Sequence, residues 1–156
     1  MQNSLNQHSN ISNGVHKDSP SNLIHTHTHT TLPIVEKIKN LYLIWFQYYQ
    51  ILPKAHRYTL GRRIDSIFIE IIEATVTAGF LAREKKLPFV QHALRKTDTL
   101  KILLQVLWET KSLDDKKYIT LSKSLEETGK MLGGWSGQLL KSLEQARDKQ
   151  NSPNKK

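Results

Sequence analysis

From Leu32 onward, apolar residues return every three or four positions, the spacing of one face of an α-helix. The first run starts at Pro33, a residue suited to a helix's first turn, and continues through Ile34, Ile38, Leu41, Trp45 and Tyr48. Leu43, Ile44, Phe46 and Tyr49 widen that surface beyond one stripe, which predicts a helix packed against several others. Leu52-Pro53-Lys54 interrupts the run, because proline disfavours helix in the residue before it. A second run places Leu60, Ile64, Ile67, Ile71, Ala74, Ala78 and Leu81 on one face, with Phe68, Ile72 and Val76 as a parallel ridge. It is expected to end in Arg83-Glu84-Lys85-Lys86, since cations suit a helix C-terminus. Leu87-Pro88 then opens a third run carrying Val90, Ala93, Thr97, Leu100, Leu104 and Leu107, closed by Trp108. After a break at Lys111-Ser112-Leu113-Asp114-Asp115, the fourth run reads Tyr118, Leu121, Leu125, Thr128, Leu132, Trp135 and Leu139 at coiled-coil-like spacing. No segment alternates apolar and polar residues over a strand length. The pattern therefore predicts an all-α chain, folded as an antiparallel up-down four-helix bundle.

Composition adds two tails. Residues 1–31 are rich in Asn, Ser, Thr and His and lack periodic apolar positions, so they are read as a disordered polar tail. The bundle is expected over 32–148, and 149–156 as a basic C-terminal tail that frays from about Ala146. The N-terminal tail lacks the charged start and apolar run of a secretory signal, and no apolar stretch reaches the about 18 residues of a membrane span. There is no cysteine, which removes disulfides, thiol catalysis and Cys-type zinc sites. The expectation is a cytoplasmic protein without a membrane partner.

The charge changes the picture further. The formal net charge is +9 over 156 residues, and the N-terminal tail holds only Lys17 against Asp18. The excess thus sits on the bundle and favours a polyanion, RNA or DNA first, with plain solubilising charge as the alternative. Lys54, His56, Arg57, Arg62 and Arg63 cluster around the first connection, and Lys85, Lys86, Arg95, Lys96 and Lys101 around the second. An up-down bundle puts those connections at opposite ends, so the charge is expected over the particle rather than in one groove. The phosphate-binding candidates are Lys54, Arg57, Arg62, Arg63, Lys85, Lys86, Arg95 and Lys96, with the arginine group foremost.

Catalytic chemistry is not apparent. Of the seven histidines, His8, His16, His25, His27 and His29 lie in the tail, where the alternating His25, His27 and His29 could hold a transition metal only loosely. His56 and His92 stand alone. Glu70 and Glu73 share a helix face but lack the Glu-x-x-His partners of a bundle metal site, and Arg63 two turns before Glu70 reads as a solvated charged face. No phosphate-cradling loop or nucleophile elbow occurs. Neither a catalytic residue, a metal site nor a cofactor is expected. Tyr42, Trp45, Tyr48 and Tyr49 could stack on bases, but their helical spacing favours burial.

Three glycines surround a tryptophan in Lys130-Met131-Leu132-Gly133-Gly134-Trp135-Ser136-Gly137, inside the fourth helical run. Each costs roughly 1 kcal/mol relative to alanine in a helix interior. Leu132, Gly133, Gly134 and Trp135 are accordingly expected to form a close-packing seam, within the chain or between copies.

These segments together carry a resemblance. Leu32-Pro33-Ile34, the stretch Leu52-Pro53-Lys54-Ala55-His56-Arg57-Tyr58-Thr59-Leu60-Gly61, Asp115-Lys116-Lys117-Tyr118-Ile119 and Gly129-Lys130-Met131-Leu132-Gly133-Gly134-Trp135 resemble the accessory variability determinant (Avd) proteins of diversity-generating retroelements. Those belong to a wider group of bacterial four-helix-bundle proteins that includes products of intervening sequences in 23S rRNA genes. The resemblance spans Leu32 to Leu143 in order. It implies a non-catalytic partner of a reverse transcriptase, in a system that copies a template RNA with adenine-directed errors and replaces part of a target gene with the cDNA. It also implies a basic, barrel-like homopentamer that binds the reverse transcriptase and template RNA or cDNA. A bundle protein with another partner, such as ribosomal RNA, is the alternative. Ser136-Gly137-Gln138 departs from the usual Ile-Lys-Ser of the family, so the contact made there is expected to differ.

Overall fold

The computed structural model describes residues 32–151, all of it helix and connections with no strand among the described residues. Four long helices form it: α1 (Pro33–Ile51), α2 (Arg62–Phe80), α3 (Arg83–Glu109) and α4 (Asp115–Asn151). Between α1 and α2 the chain makes one α turn, Lys54–His56, and then a π-helical stretch, Arg57–Gly61, which runs without interruption into α2. The expectations for the disordered tail and its histidines lie outside the described residues, as do positions 152–156.

Each helix packs on its neighbours in sequence, and α1 closes the ring against α4. The paired residues run in opposite senses along each pair. Gly79, near the end of α2, faces Leu32 at the start of α1, while Gly61 before α2 faces Tyr49 and Leu52 at the end of α1. Trp108 late in α3 stacks on Tyr118 early in α4, and Gly129 of α4 lies against Lys101 and Thr97.

The core follows the expected stripes closely. Val90, Ala93, Thr97, Leu100, Leu104 and Leu107 of α3 are all fully buried, as are Ile64, Ile67 and Phe68 of α2. Three buried threonines satisfy themselves by donating to the carbonyl one turn back: Thr75 to Ile71 (2.6 Å), Thr97 to Ala93 (2.9 Å) and Thr128 to Ser124 (2.9 Å). Trp45 of α1 is completely buried, 6.0 Å from Phe68 and 5.8 Å from Tyr49 between ring centroids. Tyr42, Tyr48 and Tyr49 pack half-buried against the same cluster and serve the core, whereas Leu43 and Phe46, expected to widen the packed face, are exposed. Burial pushes the Tyr42 phenol above its ordinary pKa, helped by the Asp65 carboxylate beside it.

Three boundaries differ from the sequence pattern. The second break falls at Leu81-Ala82, and Arg83-Glu84-Lys85-Lys86 begins α3 instead of ending α2. Pro88 therefore lies inside α3, in its second turn, and does not open it. A proline this early removes one backbone donor, to the carbonyl of Glu84, at a point where the helix is barely established. Along α4 the buried stripe runs Leu121, Leu125, Thr128, Leu132, Ser136 and Leu139, with Trp135 only half-buried. A 3.6-residue helix drifts against a strict seven-residue repeat, and the step of four from Leu132 to Ser136 takes up that drift. Finally, α4 is helical past Ala146, to Asn151.

The third connection is closed by a left-handed residue. Lys111 has φ 59°, and beyond it the amides of Ser112 and Leu113 both reach back to the Leu107 carbonyl (2.9 and 3.1 Å). The Lys111 amide itself bonds to the Trp108 carbonyl at 2.9 Å, completing a Schellman-type cap. No described helix is long and apolar enough to cross a membrane.

Candidate nucleic-acid interface

At one end of the bundle the first and third connections meet. His56 Nδ1 is hydrogen-bonded to Ser112 Oγ, which ties the turn before α2 to the cap after α3. Arg57 is turned inward: its Nε and Nη2 both donate to the Leu52 carbonyl (3.1 and 2.7 Å), closing the C-terminus of α1. That occupation removes Arg57 from the foremost phosphate candidates. Lys54 and Arg62 are exposed, with no acid partner among the described residues. The meeting of connections adds three cations that the sequence analysis did not group here. Lys111 lies 5.9 Å from the Trp108 ring centroid, Lys117 lies 5.8 Å from that of Tyr48 while pairing with Asp114, and Lys116 is exposed beside them. The signal was available in the sequence, because the up-down arrangement it predicts returns the first and third connections to the same end.

Midway along α2 and α3, Glu70 gathers cations. Lys96 Nζ lies 2.6 Å from its carboxylate, Arg63 Nη1 3.4 Å and His92 Nε2 4.0 Å. Arg63 and Lys96 are thus balanced by an acid, and Arg63 makes an ion pair where only a solvated face was expected. The Lys96 hydrogen bond, followed by the charges around it, holds the Glu70 carboxyl below its usual pKa. A depressed carboxyl contributes stability that is fully present above its unfolded value near 4.3 and is lost as pH falls through the lower folded value. The stability gap between the wild type and Glu70→Gln should therefore be constant above about pH 5 and shrink below about pH 4. Urea midpoints at a series of pH values measure it. The gap should stay below about 1 kcal/mol, because solvent screens the group.

The opposite end carries Lys85 and Arg83, both exposed without an acid partner among the described residues, and Lys86, whose ammonium donates to the Gly79 carbonyl at 3.3 Å. Beginning α3 at Arg83 places these cations at the positive end of that helix's dipole, where their fields add. Arg95 is exposed farther along α3. Exposed basic residues thus occur at both ends of the bundle.

Beside this end lies a cleft of about 450 Å³, walled by Leu32, Pro33 and Ile34 on one side and Met131, Gly134 and Trp135 on the other, with Lys86 and Lys130 at its rim. A second depression, about 340 Å³, shares Trp135, Lys86 and Gln138 with it and adds Arg83. Leu132 is fully buried in the chain's own core. Gly133, Gly134 and Gly137 are different: a Cβ placed on any of them meets nothing within 4 Å. The close-packing seam expected at the glycines therefore does not lie within the chain. Gly61 is under steric pressure that includes a backbone atom, its Cβ position lying 3.0–3.1 Å from Tyr49, Leu52 and the His56 carbonyl, while at Gly79 the close neighbour is the Leu32 side chain, at 3.1 Å.

A family model described as bAvd-like matches residues 32–139, which takes in all four helices up to Leu139 of α4. No curated protein matches the chain.

Proposed function

The chain belongs to the bAvd-like family, and from that premise we propose that it is a non-catalytic accessory protein of a diversity-generating retroelement. In this role it binds the element's reverse transcriptase and its template RNA or cDNA, holding them together during mutagenic copying. The fold suited to this is an antiparallel up-down four-helix bundle, supported by the opposite sense of the paired contacts along neighbouring helices. The working form is a homo-oligomer, a pentamer on the resemblance. Gly133 and Gly137, four residues apart on one ridge of α4 and open on the chain's own side, suit the close approach of a helix from another copy. A cytoplasmic location fits these partners.

The observation that carries the nucleic-acid part is the presence of exposed cations without acid partners among the described residues, Lys54, Arg62, Arg83, Lys85 and Arg95 among them. Lysine and arginine left unpaired on a chain of net charge +9 gain most from replacing counterions on a phosphate backbone. Arg57, Arg63, Lys86 and Lys96 are already engaged by Leu52, Glu70 and Gly79, and contribute less. RNA affinity should fall steeply with salt. Arg62→Glu combined with Arg95→Glu should weaken binding by about tenfold or more at low salt and flatten the salt slope. Arg57→Gln should instead lower stability with little change in slope. Absence of RNA binding at low salt, or an unchanged slope in the double variant, would overturn the assignment. Co-purification with a reverse transcriptase encoded beside it tests the protein partnership.

A further inference from the structure

Trp135 stands at the border of both depressions at the α2–α3 end, and nothing in the bundle accounts for the open ground beside it. The indole is half-buried, held from behind by the core. Its neighbour on the same helix, Gly134, gives up side-chain packing and helix propensity and leaves the cleft open. Any larger residue at 134 would project a side chain into that space. The walls facing it are apolar and the rim is cationic: Lys86 and Lys130 edge the larger cleft, Lys86 and Arg83 the smaller. No carboxylate among the described residues lines either one. Among the described residues Lys130 pairs with Glu126, at 2.9 Å between two well-exposed side chains, a pair that yields readily to a stronger anion. Gln138, common to both depressions, offers an amide donor and an acceptor.

An apolar slot beside an indole, edged by ammonium and guanidinium groups with no acid among the described lining residues, fits a flat aromatic group linked to phosphates. We propose that Trp135 is a stacking platform for an unpaired nucleobase, with Lys86, Lys130 and Arg83 on the adjoining phosphates and Gln138 at the base edge. The occupant is single-stranded nucleic acid. A duplex keeps its bases stacked on each other and cannot offer one to the cleft. This rests on the nucleic-acid reading above and refines it. The unpaired cations elsewhere bind any phosphate backbone, whereas this cleft distinguishes single strands that carry bases.

The test uses the full chain and three fluorescent probes: a single-stranded oligouridylate, an abasic oligomer of the same length, and a duplex RNA. Trp135→Leu and, separately, Gly134→Leu are compared with the wild type. Because Trp135 also touches the core, Gly134→Leu is the decisive variant; it fills the cleft while improving helix propensity, so its melting temperature should not fall. Both variants should lose about tenfold in affinity for the oligouridylate and keep wild-type affinity for the abasic and duplex probes. Unchanged oligouridylate binding in Gly134→Leu overturns the stacking site while leaving general RNA binding intact. Failure of the wild type to bind any of the three probes at low salt overturns both readings. If Gly134→Leu weakens polyglutamate as much as the oligouridylate, the cleft recognises acidic polypeptide and the proposal falls.

Discussion

Phe68→Ala should lower the unfolding free energy by about 3–5 kcal/mol. Phe68 is fully buried, and its ring joins α2 to the aromatic cluster of α1. It stacks on Trp45 and meets Tyr42 edge-on at 5.9 Å. Deleting it removes the transfer free energy of a large ring and leaves a cavity whose walls are themselves rigid aromatics, so relaxation recovers little. Urea denaturation should show a lower midpoint with an unchanged slope. A loss below about 1 kcal/mol would mean that the α1–α2 aromatic contact is not a centre of the core.

The second large effect separates two kinds of glycine. Gly61→Val should destabilise by about 1–3 kcal/mol, because the new side chain begins 3.1 Å from the His56 carbonyl, a backbone atom that cannot step aside. Tyr49 and Leu52 crowd the same point from α1, so the strain passes directly into the first connection. Gly134→Ala should instead stabilise by up to about 1 kcal/mol, since the methyl enters the open cleft and the helix gains propensity. Thermal melts of the two single variants suffice. Shifts of the same sign at both positions would contradict the assignment of Gly61 as a tight contact and Gly134 as an open one.

Much of the fold was legible in the residues. The α3 stripe from Val90 to Leu107 could be named position by position, because burial on one helix face leaves a period that polar residues cannot imitate. The start of α3 was misread for a physical reason: four charged residues before a proline suit a helix end, and the packing of α3 against α2 outweighed both signals. The candidate interface was legible in kind and less so in detail. Residue type located the cations, but only side-chain geometry reveals that Arg57 is spent on Leu52 and Lys96 on Glu70. The glycines near Trp135 stand out in the sequence because glycine lowers helix propensity. Whether such a cost buys close contact or empty space depends on what lies opposite, which no single helix's sequence contains.

The π-helical stretch Arg57–Gly61 has an effect on direction as well as on packing. The Arg62 amide bonds five residues back to Arg57, so this turn holds one residue more than an α turn. Each residue of an α-helix swings the side-chain direction by about 100°. Residues before the wide turn are therefore clocked against the end of α1 and Ser112, and those after it against the ridge of Ile64, Ile67 and Ile71. A single helical rod thus carries two angular phases. The bearing of Lys54 around the bundle axis is set by the first connection, and that of Arg62 by the buried ridge of α2.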